Sequence, residues 1–157
     1  MTQIRIGRGT DRHLFLEGRP LILGGIDIPH SKGLKGHSDA DALLHALSDA
    51  LLGSLALGDI GQHFPDTDAT HKDLDSKIIL QHCLEMIQKE GWSLVNCDIV
   101  IHTQLPKIGP HRLVLRESLA SLLGCEVGQG YYWSEPIDME AFILMMKAQP
   151  FLLSSKS

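Results

Sequence analysis

An α+β domain, a mixed β-sheet with helices packed on one face, is what this sequence predicts, and three observations lead there. Alternating polar and apolar residues mark a strand at 3–7, and a run with Leu94, Val95, Ile99, Val100 and Ile101 marks another over 93–102. Three stretches with helical spacing of apolar residues stop at Gly53, Gly91 and Gly124, and glycine is the commonest residue just past a helix end. The two kinds of element interleave without a strict strand-helix-strand rhythm, which fits a sheet covered on one side. The other face would then need a partner, so the pattern also predicts an oligomer. At 157 residues the chain is long enough to bury about 70% of its unfolded surface, and one domain over 1–157 is expected.

The elements follow in order. After the first strand, residues 21–29 (LILGGIDIP) form a second β-like run whose glycine pair would allow a bulge. Residues 39–52 are rich in Ala and Leu, with Ser38 or Asp39 available as an N-cap, and predict a helix. Next comes LGDIGQHFPDTDATHKDLD, too polar to pack and too long for a plain connector; such loops usually carry function. A helix over 75–90 shows the spacing Ile79, Cys83, Met86, Ile87. The strand at 93–102 and a helix over 111–123 follow. Residues 128–132 are too irregular to assign, and 139–147 reads as a short helix before Pro150.

The composition excludes several classes. A net charge of −5 argues against nucleic acid as a partner, since phosphate-backbone binders need clustered Lys and Arg. Cys83, Cys97 and Cys125 are odd in number and contain no CxxC, so neither a disulfide framework nor a thiolate zinc site is indicated, and a reducing cytoplasm fits. No apolar run reaches the ~20 residues that span a bilayer, and the first residues show no targeting pattern. Nine histidines exceed what packing needs and direct attention to metal or phosphate chemistry.

Asp11 and His13 flank one residue at the end of the first strand, and in extended chain such a pair points the same way. His45 would complete a two-imidazole, one-carboxylate set if its helix packs over the strand end, leaving a fourth position open as catalytic zinc requires. The plainer reading is a turn after a strand and a core histidine. His37 and Ser38 stand where a helix N-terminus can receive phosphate, although ordinary capping explains them equally. Asp49, one turn beyond His45, could orient that imidazole or equally be an exposed helix carboxylate. Asp59, Asp66 and Asp68 lie in the polar loop, where carboxylates bind hydroxyls or magnesium and also simply make turns.

Taken together, HSDADALLHALSDALLGSLALGDIGQHFPDTD at 37–68, GTDRH at 9–13 and LPKIGPH at 105–111 resemble the 2-C-methyl-D-erythritol 2,4-cyclodiphosphate synthase family over about residues 4–124. The resemblance implies a homotrimer with active sites at subunit interfaces and zinc held by Asp11, His13 and His45. It implies a substrate that is a cytidine diphosphate ester of methylerythritol 2-phosphate, cyclised with release of CMP, and a second ion, magnesium or manganese. It assigns His37 and Lys107 catalytic roles, and His37 and Ser38 the grip on the phosphate and methylerythritol end, beside Asp11 and His13. Asp59, Gly61 and the loop Phe64, Pro65, Asp66, Thr67 and Asp68 would line the same pocket, and Thr103, Pro106 and Lys107 would surround the cytosine. His71, His82 and His102 match no family role and are expected to pack.

Beyond Gly124 the resemblance ends, and 125–157 is atypical. Glu135 aligns with the family's magnesium-binding Glu, but Trp133 and Ser134 stand where threonine is expected and Phe142 where a phosphate-binding arginine is expected. Three accounts fit that departure: a divergent cyclase, an inactive homologue that binds a nucleotide or isoprenoid diphosphate, or a reading frame that slipped near residue 128.

Overall fold

The computed structural model describes residues 3–125 and the backbone of 139–147. Within them lie strands β1 (Ile4–Asp11), β2 (Phe15–Glu17), β3 (Leu21–Leu23), β4 (Ile26–Ile28), β5 (Lys32–Leu34), β6 (Trp92–Ile101) and β7 (Met139–Lys147). The helices are α1 (Ala42–Ser54), α2 (Ile60–His63), α3 (Ser76–Lys89) and α4 (Arg112–Leu123). The main sheet has the order β1-β7-β6, and two hairpin-like pairs, β2-β5 and β3-β4, flank it. All of these pairings are antiparallel.

The position of α1 organises the rest. Its sequence ALLHALSDALLGS is apolar nearly all round, which belongs to a helix buried on every side, and Leu43, Leu44, Leu47, Leu51 and Leu52 are almost fully buried. It lies against β1 and α3. The contact with β1 is unusually close because Gly7 and Gly9 carry no side chain. A Cβ on Gly9 would overlap the Ala46 carbonyl oxygen, and one on Gly7 the Ala50 carbonyl oxygen. Two glycines spaced to point at the helix thus set its height over the strand, and with it the distance from His45 to the strand end. The alternate β1 residues Ile4 and Ile6 are 53% and 71% exposed, so among the described residues nothing covers that side of β1.

Helices α3 and α4 stand close to their expected bounds. Asp75 caps α3 through the Lys77 amide, and Gly124 ends α4 in the left-handed region at φ 67°. Four expectations need correction. The first helix does not stop at Gly53 but runs through it, from Ala42 to Ser54, with Leu55 as its C-cap. Residues 21–29 are a hairpin rather than a bulged strand: Gly24 and Gly25, at φ 59° and 78°, form a two-residue turn, since that turn needs left-handed backbone at both central positions. The N-cap of α1 is Asp41, not Ser38 or Asp39; its carboxylate accepts from the Leu44 amide. Residues 139–147 form strand β7, the centre of the main sheet, rather than a helix. A continuous apolar run suits a strand flanked on both edges as well as it suits a buried helix, and pairing with β1 and β6 decides between them. The expectations for Glu135, Trp133, Ser134 and residues 128–132 fall outside the described residues.

Candidate metal centre

Asp11 ends β1, His13 follows two residues on, and His45 rises from the second turn of α1, which the glycine contact holds over the strand end. The three side chains converge as the sequence predicts. Asp11 Oδ2 lies 2.7 Å from His13 Nε2 and 3.2 Å from His45 Nδ1. One donor atom from each lies within 4.8 Å of the others. Tetrahedral zinc with ligands at ~2.0–2.2 Å holds its donors about 3.4 Å apart, so the set fits such an ion with small shifts.

The outer nitrogens are already engaged. His13 Nδ1 lies 2.6 Å from the Lys35 carbonyl and Nε2 2.7 Å from Asp11 Oδ2, so the protonated ring donates to both, and a metal ion taking the place of the Nε2 proton would leave the hydrogen on Nδ1. His45 Nε2 lies 2.8 Å from Ser76 Oγ. Burial pushes the Asp11 carboxyl up, but hydrogen bonds and charge from His13 and His45 outweigh it and bring the group down to about 2. The hydrogen bond that His13 donates to the Asp11 carboxylate raises His13 above its ordinary value, against the opposing effect of burial. An acceptor-rich carboxylate between two imidazoles is the electrostatic counterpart of a cation site.

The centre opens on a cavity of about 290 Å³. Of the residues singled out in the sequence, Asp11, His13, His37, Ser38, His45, Gly61, Phe64 and Asp66 line it. Thr103 and Pro106 line a smaller neighbouring cavity of about 30 Å³ that shares Asp11 and His13. Asp59 and Asp68 cap short helical turns through the Gln62 and Thr70 amides, and Thr67 and Lys107 are exposed. The Pro65 carbonyl accepts from His71 Nδ1.

Several residues that matter here gave no clear signal in the sequence. Arg19 donates to the Gly36 and Ser38 carbonyls at 2.6 Å each and so holds the segment that carries His37. His71 lines the cavity and packs edge-on against Phe64. Asp49 does not orient His45; it accepts from the Ile60 amide at 2.8 Å and fixes the start of α2. Burial raises its carboxyl above the ordinary value. The partner of His45 is Ser76, 31 residues away, a distance that no local spacing rule reaches.

An α+β domain with a two-imidazole, one-carboxylate set that could hold a metal ion at the wall of a cavity is the arrangement of a metal-dependent enzyme. A family model described as the YgbB family matches residues 4–129, and the chain belongs to that family. Over 126 residues it is 56% identical to the 2-C-methyl-D-erythritol 2,4-cyclodiphosphate synthase of Chlorobium phaeobacteroides, a match spanning 80% of this chain and 79% of the relative. The bifunctional IspDF of Campylobacter jejuni superimposes with a TM-score of 0.88 at 31% identity, over 94% of this chain and 43% of that one. A 2C-methyl-D-erythritol-2,4-cyclodiphosphate synthase in a CDP-bound form superimposes with a TM-score of 0.81 at 37% identity, over 90% of this chain and 98% of that one.

Proposed function

We propose that this protein is a homotrimeric, cytoplasmic cyclodiphosphate synthase that closes 4-diphosphocytidyl-2-C-methyl-D-erythritol 2-phosphate into 2-C-methyl-D-erythritol 2,4-cyclodiphosphate and releases CMP. The observation that carries this reading is the convergence of Asp11, His13 and His45 at the wall of the cavity that His37 and Ser38 also line. The family membership and the CDP-bound relative support the substrate class.

The substrate's 2-phosphate attacks the β-phosphorus, the bond to the CMP oxygen breaks, and an eight-membered ring closes. No protein nucleophile is needed, so the rate depends on alignment and on charge neutralisation. Zinc held by Asp11, His13 and His45, with magnesium as the second ion, would supply Lewis-acid polarisation of phosphate oxygens. His37 and Ser38 hold the phosphate and methylerythritol end. Asp66 and the backbone at Gly61 and Phe64 close the cavity around the sugar-derived hydroxyls, with Asp59, Pro65, Thr67 and Asp68 shaping that loop. Thr103, Pro106 and Lys107 take the cytidine side, Lys107 adding a cation near the diphosphate.

The exposed apolar residues Ile4 and Ile6 on β1, with Leu14 and Leu16 nearby in sequence, support self-association. Among the described residues no helix is long and apolar enough to cross a membrane. Cys83, Cys97 and Cys125 are free thiols, and burial pushes Cys83 and Cys97 up to about 12, which suits a reducing compartment.

The test is release of CMP from the cytidine diphosphate substrate by metal-replete protein. Activity lost on chelation, restored by zinc with magnesium, and absent in His45→Ala supports the proposal. Binding of CDP without any CMP release favours the catalytically silent homologue instead.

A further inference from the structure

The inner face of His45 points at Asp11, but its outer face enters a hydrogen-bonded chain that ties two distant segments together. Ser76, the first residue of α3, is completely buried. Its hydroxyl lies 2.8 Å from His45 Nε2 and hydrogen-bonds to Asp39 Oδ1. Asp39 Oδ2 accepts from the Ser76 amide at 3.0 Å, and Asp39 Oδ1 accepts from the Asp41 amide at 3.1 Å.

The direction of this chain follows from donor and acceptor counts. An ionised carboxylate only accepts, so the single hydroxyl proton of Ser76 goes to Asp39. Ser76 then presents a lone pair to His45, and His45 Nε2 must carry the hydrogen. The Ser38 hydroxyl, 3.3 Å from the same nitrogen, already accepts from the Ala40 amide and is compatible with that tautomer. With hydrogen on Nε2, the Nδ1 lone pair faces Asp11 Oδ2 at 3.2 Å. Two lone pairs that close repel each other unless a proton or a metal cation lies between them: the proton gives the hydrogen bond to Asp11 described above, and a metal ion would take its place.

We propose that Asp39 and Ser76 are positioning residues that act through His45, locking its Nε2–H form and aiming Nδ1 as a metal donor. The inference rests on the metal reading above and adds to it the residues that make one ligand. An outer partner of a metal-bound imidazole fixes its tautomer and plane, and losing it typically weakens metal affinity about 10–100-fold.

The experiment measures zinc affinity of the purified protein by chelator competition, without substrate, for wild type, Ser76→Ala, Ser76→Thr, Asp39→Ala and the double variant Asp39→Ala/Ser76→Ala. Circular dichroism and melting temperature check folding, and alanine is well tolerated at a first helical position. The expected result is a loss of about 10–100-fold in Ser76→Ala, recovery in Ser76→Thr, and a double variant no weaker than the worse single one, since the two act as one unit. In the zinc-loaded protein the His45 Nε2–H proton is expected as a downfield, slowly exchanging imidazole resonance that Ser76→Ala loses. Folded Ser76→Ala that binds zinc as tightly as wild type overturns the relay while leaving the metal reading intact. Wild type that binds no zinc overturns both.

Discussion

Two regions face each other across the cavity and are held in opposite ways. The metal corner, with Asp11, His13, Ser38 and His45, is fixed by bonds that cross long stretches of chain: Ser76 to Asp39 spans 37 residues, His45 to Ser76 spans 31, His13 to Lys35 spans 22 and Arg19 to Ser38 spans 19. The facing loop is held mostly from within over residues 59–71, and its far end is tied to the corner, where the Asp73 amide donates to the His37 carbonyl at 2.9 Å. Asp59 to Gln62 spans three residues, Asp68 to Thr70 two, and His71 to Pro65 six, with the Asp49 bond to Ile60, spanning 11, as its firmest tie to α1. Long-range bonds among buried groups break only when a large unit opens, whereas local bonds among exposed groups break one turn at a time. The corner is therefore the side that opens least readily, and residues 59–71 of the loop the side that opens more readily.

The largest expected effect comes from removing a ligand. His45→Ala is expected to reduce CMP release by about 1000-fold, the equivalent of several kcal/mol of lost phosphate polarisation. It should also abolish zinc retention through dialysis while the circular dichroism spectrum stays close to wild type. Full zinc retention would show that the corner is not the ion's site.

Next is the glycine contact that sets the height of α1. Gly9→Ala places a Cβ on the Ala46 carbonyl oxygen and is expected to cost at least about 3 kcal/mol in urea unfolding, because backbone rather than a flexible side chain must yield. The same substitution at Gly18, where nothing lies within 4 Å but φ is +79°, should cost only about 1 kcal/mol from the left-handed backbone. Equal costs at the two positions would remove the argument that β1 glycines position His45.

Asp41 sharpens the comparison from the buried side. Burial pushes its carboxyl from the ordinary 3.8 up to about 6, against the bonds it accepts from the Leu44, Gly25 and Gly24 amides. The folded protein thus holds this proton more tightly than the unfolded chain does. Its contribution to stability is fully present below pH 3.8 and is lost as pH rises through about 6. The loss is on the order of 3 kcal/mol. Asp41→Asn should flatten the slope of unfolding free energy across that window; an unchanged slope contradicts the assignment.

The smallest effect lies in the loop. Asp59→Ala removes the cap on α2 and should ease local opening by about 1 kcal/mol, read as faster hydrogen exchange at the Gln62 and His63 amides. Zinc affinity should not change. A fall in zinc affinity would mean that the two sides of the cavity are coupled rather than independently held.

How much of this was legible in the sequence depends on the reach of each contact. Helices α3 and α4 announce themselves through local spacing and a closing glycine, whereas α1 is marked by composition alone, since Gly53 lies inside it; the Asp11 and His13 pair needs only two-residue alternation. The hairpin at Gly24 and Gly25 was not legible, because a glycine pair suits a bulge and a tight turn equally; the two amides donating to Asp41 settle the choice. Those same amides explain why Asp41 caps α1 when Ser38 and Asp39 were equally suited by type. MEAFILMMK lacks alternation, and only its place between β1 and β6 makes it a strand. Ser76 left no trace at all, since its importance is created by folding α3 onto α1.

The account turns on where a divalent ion sits. An anomalous difference map at the zinc edge, from crystals grown with zinc, is predicted to show one peak bonded at ~2.0–2.2 Å to Asp11, to Nε2 of His13 and to Nδ1 of His45. A map with no density at that point, or with His45 turned so that Nε2 faces the ion, would contradict it.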